Sequence, residues 1–406
     1  MTTIALANDR MDNRAGQAAE AALRAGAGPF TWIGDEQALR ALAWRHGSRM
    51  LLVLLLACLG VAVAHLALAP ETIVAQGAAH VAPVTMPVLL PAALRIIYWV
   101  APAGTILALL LLYSWFKLQM RREVWAGIRL GGTALSYTGT WRELLWPLLG
   151  LVIGLALVFS FFSILKLYVI PRPSSGPSFK RLVVSVPLVY LLGLGAWRGR
   201  RFLLSRTALG GRSGSLAGSA HAFALNHLLG LLLVPLTLGW ILPWKQMAQQ
   251  RRLIGGMTLG DLPFQCTAKA RPLLTRFAVV WAGVIGIYLA AVLSIGALMG
   301  PKIIAAKAAM VRPDFDTHDV RALLLIGCVA LLAIAVLLAW YKAAVWLQIA
   351  AGSRLNGQPV RLTATTAEIA GLHLGNGVLK LASLGTLGPL AELRTARFLA
   401  RHIRYA

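Results

Sequence analysis

Acidic side chains are scarce in this chain: fourteen Asp and Glu stand among 406 residues, against 39 Lys and Arg. The carboxylates Asp35, Glu36, Glu123, Glu143 and Asp261 are isolated rather than paired, and no HExxH or GxSxG run occurs. That removes the hydrolase arrangements that depend on those spacings. Cysteine is equally sparse. Cys58, Cys266 and Cys328 lie far apart with no CxxC or metal-ligand spacing, so neither a disulfide framework nor a metal centre is expected. There is no GxxxxGK[ST], and no GxGxxG between a strand and a helix, so no phosphate-cradling nucleotide loop is expected either. The chain reads as non-catalytic and without a cofactor.

Charge of either sign is thin, at 13% of residues, while 58% are hydrophobic. Eight stretches are apolar enough to lie in a hydrocarbon layer about 30 Å thick: 49–69, 95–117, 144–170, 182–197, 222–244, 275–299, 321–347 and 368–390. The first begins too far from Met1 for a signal peptide and reads as a retained helix. The net charge of +25 is scattered through the segments between these stretches, with no aromatic interleaving, which excludes a nucleic-acid platform. Such charge sets topology and attracts anionic lipid headgroups.

Basic residues crowd 117–143, 198–221, 245–276 and the C-terminal tail, whereas 70–94 has no basic residue before Arg95, 171–181 is short and rich in Pro and Ser, and 300–320 offsets its Lys and Arg with Asp314, Asp316 and Asp319. The first group is expected in the cytoplasm and the second outside. Stretch 222–244 is then basic on both flanks. The conflict disappears if 222–244 and 368–390 enter and leave from the cytoplasmic side. Two topologies follow. One has six crossings plus two re-entrant or broken segments with both termini cytoplasmic; the other has eight plain crossings.

Two internal patterns support the first. Thr237-Leu238-Gly239 with Pro243 and Ser383-Leu384-Gly385 with Pro389 share the spacing hydroxyl-Leu-Gly-x3-Pro, 146 residues apart, and each is led in by a histidine, His227 or His373. Four linkers carry a turn glycine, Gly131, Gly210, Gly260 and Gly357, followed by short hydroxyl-rich alternating runs that read as β-hairpins. Asn356-Gly357 is the strongest turn signal, since a type I′ turn needs positive φ at both central residues. Paired together, the hairpins would make a small cytoplasmic sheet.

The run Thr237-Leu238-Gly239-Trp240-Ile241-Leu242-Pro243-Trp244, followed by Arg251-Arg252 and Gly260-Asp261-Leu262-Pro263-Phe264, resembles the YjgN family of bacterial inner-membrane proteins, a family of unknown function. The C-terminal echo has Ser383 for Thr and Leu390 for Trp. The resemblance covers 197–406; in the first half only Phe30-Thr31-Trp32-Ile33-Gly34 echoes the family's opening strand. It implies an inner-membrane location and a fold, and carries over no catalytic residue.

The expected fold is an all-α polytopic membrane protein with short Gly-turn β-hairpins in a small cytoplasmic sheet. It divides into a disordered tail (1–28), an N-terminal membrane half (29–196) and a C-terminal half (197–406) with the duplicated unit. Ionisable groups at membrane depth are costly and tend to face a cavity or a partner. The candidate path residues are therefore His227, Gly239, Pro243, His373, Asn376, Lys380, Gly385 and Pro389, with Asn226, Lys166 and Lys342 beside them. Helix N-termini after Gly239 and Gly385, together with Lys380, favour an anionic solute. The expected function is transport or permeation of a small solute. The alternative is a non-catalytic, lipid-interacting scaffold or envelope-integrity protein. Expected partners are membrane lipids with anionic headgroups and a second copy of the chain. The segment 390–404, with arginines opposite Leu393, Ala396, Leu399 and Ile403, reads as an interfacial amphipathic helix.

Overall fold

The computed structural model describes residues 31–68, 89–143, a few positions between 145 and 157, and 177–405. The expected tail, most of 144–170 with Lys166, and most of the run 70–94 lie outside the described residues.

Short strands alternate with helices. In chain order they are β1 (Thr31–Trp32), α1 (Glu36–Leu68), α2 (Leu89–Ala126), β2 (Ile128–Leu130), β3 (Thr133–Tyr137), α3 (Pro177–Ser205), β4 (Thr207–Leu209), β5 (Arg212–Ser213) and β6 (Ser215–Leu216). Then follow α4 (Ala220–Leu236), α5 (Leu242–Gly255), β7 (Met257–Leu259), β8 (Leu262–Cys266), α6 (Leu274–Ala308) and α7 (Thr317–Ala351). The chain ends with β9 (Ser353–Leu355), β10 (Gln358–Leu362), α8 (Thr366–Ala382), α9 (Gly388–His402) and β11 (Ile403–Tyr405).

All four expected hairpins form, each with a two-residue turn: β2–β3, β4–β5, β7–β8 and β9–β10. Gly131-Gly132, Gly210-Gly211 and Asn356-Gly357 have positive φ at both central positions, the type I′ requirement; in Gly260-Asp261 only the glycine does. They do pair with one another, β3 with β4 and β8 with β9. The expected single sheet is instead two, β1 to β5 and β6 to β11, each an antiparallel meander. They part at Gly214. A Cβ there would lie 2.7 Å from the Thr258 carbonyl oxygen and 3.0 Å from that of Leu204, so backbone crowding turns the strand and sends its two halves to different neighbours. The tail also differs from expectation: its helix stops at His402, and Ile403–Tyr405 pair with Val360–Leu362 as β11.

The strand layer explains where the helices go. Between consecutive strand pairs the chain leaves as a helix and returns as a helix, and every return is closed by the same backbone bond. The amide just past the outgoing strand donates to the carbonyl of the residue just before the incoming one. The five bonds are Ile33 to Gly127 (2.9 Å), Thr138 to Arg206 (2.9 Å), Ala217 to Gly256 (2.8 Å), Thr267 to Gly352 (2.7 Å) and Thr363 to His402 (2.9 Å). The unit therefore repeats five times, where the sequence suggested two. The leucines that precede the four turns, Leu130, Leu209, Leu259 and Leu355, converge in one buried cluster with Phe116, Met120, Leu393 and Ala400. Helix α9 thus packs under the strands and against α1, α2 and β1, joining the chain's end to its beginning. Glu392 on α9 fixes this contact, reaching Lys117 at 3.2 Å and Arg121 at 3.7 Å on α2.

Among the described residues, two helices are long and apolar enough to cross a membrane, within Arg271–Ala308 and Thr317–Ala351. Their connection is locked by charge. Asp316 caps α7 by accepting from the Asp319 amide (2.8 Å), and Asp319 accepts from the Asp316 amide (3.1 Å). Lys302 on α6 donates to Asp319 at 2.5 Å. Asp316, His318 and Asp319 approach one another closely enough to suggest a metal, but Lys302 already occupies the two carboxylates. The Asp319 amide, and next the Lys302 charge, hold the Asp316 carboxyl below its usual range. A group depressed in the folded state stabilises above its ordinary pKa, and that contribution is lost as pH falls through the folded value. Protection of the amides at the start of α7, taken relative to free peptide at each pH, should therefore fall below about pH 4; equal protection at neutral and acid pH would contradict the clamp.

Candidate functional site

The two hydroxyl-Leu-Gly segments adopt one and the same turn. Helices α4 and α8, of 17 residues each, stop at Thr237 and Ser383. The Leu238 amide then donates to the Pro235 carbonyl (3.3 Å) and the Gly239 amide to Val234 (2.8 Å); in the other copy Leu384 donates to Leu381 (3.1 Å) and Gly385 to Lys380 (2.7 Å). These are the paired bonds of a Schellman cap. The hydroxyl joins the two helices of each hairpin. Thr237 donates to the Leu233 carbonyl (2.8 Å) and accepts from the Ile241 amide (3.3 Å); Ser383 donates to Leu379 (2.7 Å) and accepts from Leu387 (3.2 Å). One side chain thus serves an end of each helix, giving partners to backbone groups that a helix end leaves open. Pro243 and Pro389 are buried at the starts of α5 and α9, where a missing amide hydrogen costs nothing.

Glycine does not stand at the first left-handed position. Leucine does: φ is +49° at Leu238 and +50° at Leu384, followed by +88° at Gly239 and +84° at Gly385. A non-glycine residue there costs on the order of 1–2 kcal/mol. Both leucines point outward, 71% and 70% exposed, beside Leu236 and Leu381 at 79% each. Leu384→Gly should relieve this strain and raise stability in detergent by up to about 1 kcal/mol, read as a shift in the denaturation midpoint; a lowered midpoint would show that the leucine is anchored rather than displayed.

The ionisable candidates fall inside separate hairpins. His227 on α4 pairs through Nδ1 with Gln249 of α5 (2.7 Å). In the other hairpin the bridging residue stands three positions beyond His373, the counterpart of His227: Asn376 of α8 is buried and donates to the Ala391 carbonyl (3.3 Å) and to Thr395 of α9 (3.0 Å). Gln249 and Thr395 are themselves 146 residues apart. The sequence reading missed them, although extending the duplicated alignment past the prolines would have found them. His373 turns instead to Trp346 of α7, with ring centroids 4.7 Å apart, and its Nε2 is buried without a hydrogen-bond partner. Lys380 is exposed in the last turn of α8, Lys342 is exposed on α7, and Asn226 is half-buried. The geometry therefore brings each histidine to its own neighbours and does not pair the two.

Each tip leans on a longer helix. Trp281 of α6 donates to the Leu238 carbonyl (2.8 Å) and its ring lies against Trp240. Leu387 fills the space left by Gly47 of α1, where a Cβ would come within 2.2 Å of its Cδ2. Cavities of about 350–540 Å³ open elsewhere, near β1 and at the end of α2.

The family model described as bacterial protein of unknown function (DUF898) matches residues 148–406, well over half of the chain. The chain belongs to the DUF898 family. No curated protein and no solved structure matches. The DUF898 match begins ahead of residue 197, where the motif resemblance began. It agrees with that resemblance on an uncharacterised bacterial family, without carrying the YjgN name. Four of the five helical units, counting the one closed by Thr138 and Arg206, end within the matched residues, as do both broken hairpins.

Proposed function

We propose that this protein is a multi-pass protein of the bacterial inner membrane that holds anionic lipid at the cytoplasmic leaflet, as a non-catalytic scaffold. The observation that carries the reading is the pair of strained, outward-facing leucines at the two hairpin tips. At a simple turn glycine would be favoured; leucine suits a tip that enters hydrocarbon. At 1.5 Å per residue, α4 and α8 reach about 26 Å and the 35-residue α6 and α7 about 52 Å. In a core about 30 Å thick, the two short hairpins dip and return while the long ones cross. That supports six crossings and two re-entrant hairpins, with the strand layer, its basic flanks and both termini in the cytoplasm.

Ligand that binds only the folded state raises its stability by mass action. The protein should melt at a higher temperature in micelles doped with phosphatidylglycerol than with phosphatidylcholine at equal mole fraction. Identical melting in both would remove the reading. Permeation of a small anion is the second reading, favoured by the buried, unpartnered Nε2 of His373 near the charges of Lys342 and Lys380. Protein-dependent anion efflux from proteoliposomes, abolished by Gly239→Leu with Gly385→Leu, would place that reading first.

A further inference from the structure

We infer that the cavity at the strand-layer end of α2 binds a phospholipid whose headgroup carries its own hydrogen-bond donor, a hydroxyl or a primary ammonium. It holds about 540 Å³, within the usual size of a small-molecule site. One wall is a face of α2: Trp115, Leu118, Gln119 and Arg122 recur at three- and four-residue steps and so stand above one another. The other wall is Thr140-Trp141-Arg142, past the end of β3, where the Glu143 carboxylate accepts from the Thr140 amide (3.4 Å) and turns the chain back into a helix. Arg122 ties the walls together by donating to the Gly139 carbonyl (2.8 Å).

The ligand is read from what the walls leave unmet. Gln119 lines the cavity, and its Oε1 is buried without a hydrogen-bond partner. A covered amide oxygen in that state is costly, and a donor that reaches it recovers the loss. The donors beside it are turned elsewhere, Arg122 to the Gly139 carbonyl and Arg142 over the Trp141 ring, 5.5 Å from its centroid. The ligand therefore brings the donor. Both guanidinium groups are held by neutral partners, and neither pairs with a carboxylate among the described residues. Glu143, next to Arg142, goes to Arg206 at 2.8 Å, and Glu123, next to Arg122, lines a different cavity. Two arginine forks thus remain for phosphate oxygens. The rest of the lining is largely apolar. Trp115 and Trp141 are 38% and 37% exposed, and Trp115 stands at right angles to His46 of α1, ring centroids 4.5 Å apart. Tryptophan beside arginine suits the boundary between headgroups and acyl chains. A phosphate, a donor beyond it and an apolar root together describe a phospholipid with a glycerol or ethanolamine head; a choline head offers the phosphate and no donor. Lys117 and Arg121, on the neighbouring face of α2, are committed to Glu392, which sets this site apart from the contact with α9.

The inference rests on the membrane reading above for the source of the lipid; the site itself stands on the cavity. Native mass spectrometry of the full-length protein in detergent, titrated in turn with phosphatidylglycerol, phosphatidylethanolamine, phosphatidylcholine and glycerol phosphate, separates the two. Wild type should bind phosphatidylglycerol and phosphatidylethanolamine more tightly than phosphatidylcholine. Gln119→Met removes the oxygen and keeps the stem, and because that oxygen is unpartnered in the lipid-free protein the variant should fold as well as wild type. It should weaken the first two lipids by about fivefold and leave phosphatidylcholine within about twofold. Arg142→Gln should weaken all three by about fivefold, since they share the phosphate. Gln265→Met, at an exposed glutamine of β8, should change none of them by more than about twofold. Glycerol phosphate that binds wild type as tightly as phosphatidylglycerol and is lost in Gln119→Met would keep the site and make its ligand a soluble phosphate ester. A preference for phosphatidylglycerol over phosphatidylcholine that is the same in wild type and Gln119→Met would overturn the site and leave the lipid reading intact. Equal binding of all three lipids by wild type, with no glycerol phosphate bound, would overturn both.

Discussion

Leu355→Ala lowers the unfolding free energy by about 3 kcal/mol, within the range of about 2–5 kcal/mol for emptied leucine sites. Leu355 is almost fully buried at the end of β9, and the cluster it joins gathers residues from all four β-hairpins and from α1, α2 and α9. Its neighbours belong to separate hairpins already fixed by backbone pairing, so they cannot collapse into the space. Leu293 on α6, 71% exposed, is the contrast: in detergent its alanine variant should stay within about 0.5 kcal/mol of wild type. Denaturation in micelles reads both as midpoints at a common slope. A Leu355 variant as stable as the Leu293 variant would mean that the four hairpins do not share a core.

Gly352→Ala is expected to cost at least as much, about 3 kcal/mol, the upper end for inserted bulk. Its Cβ would lie 2.5 Å from both the backbone nitrogen and the Cα of Ala268. Those are main-chain atoms with no rotamer to change, and the Gly352 carbonyl accepts from Thr267 next door. The close approach is therefore part of how the α6–α7 unit shuts on the strand layer. Gly286→Ala and Gly300→Ala on α6 meet nothing within 4 Å; they should be neutral or stabilising by up to about 1 kcal/mol. A folded Gly352→Ala protein with an unchanged midpoint would show that the crossing is not tight.

Much of this was legible in the sequence, for reasons tied to particular residues. Gly131, Gly210, Gly260 and Gly357 marked the turns because positive φ leaves a local trace in residue type. The two broken hairpins were legible because a hydroxyl, a glycine and a proline each do a position-specific job, so the spacing survived duplication. The fivefold repeat was not legible. Its closure rests on backbone bonds whose acceptors are Gly127, Arg206, Gly256, Gly352 and His402, and a bond between main-chain atoms does not prescribe the side chain. The histidines misled for a related reason. Their aligned positions put them on matching helices, but the partner of each is set by the neighbouring helix, Gln249 in one case and Trp346 in the other. The cavity beside α2 was invisible because its walls, 115–122 and 140–142, meet only once the β2–β3 hairpin has folded between them.

The most direct measurement is labelling of single cysteines by a membrane-impermeant reagent, applied from each side, after Cys58, Cys266 and Cys328 have been replaced. Reporters at Asp261 and Asn356 sit in β-hairpin turns, one at Asp314 sits between α6 and α7, and reporters at Leu238 and Leu384 sit at the broken tips. The account predicts cytoplasmic labelling at Asp261 and Asn356, external labelling at Asp314, and none at either tip from either side. External labelling at Leu238 or Leu384, or opposite sides for Asp261 and Asn356, would contradict a strand layer that roots every helical hairpin on one face of the membrane.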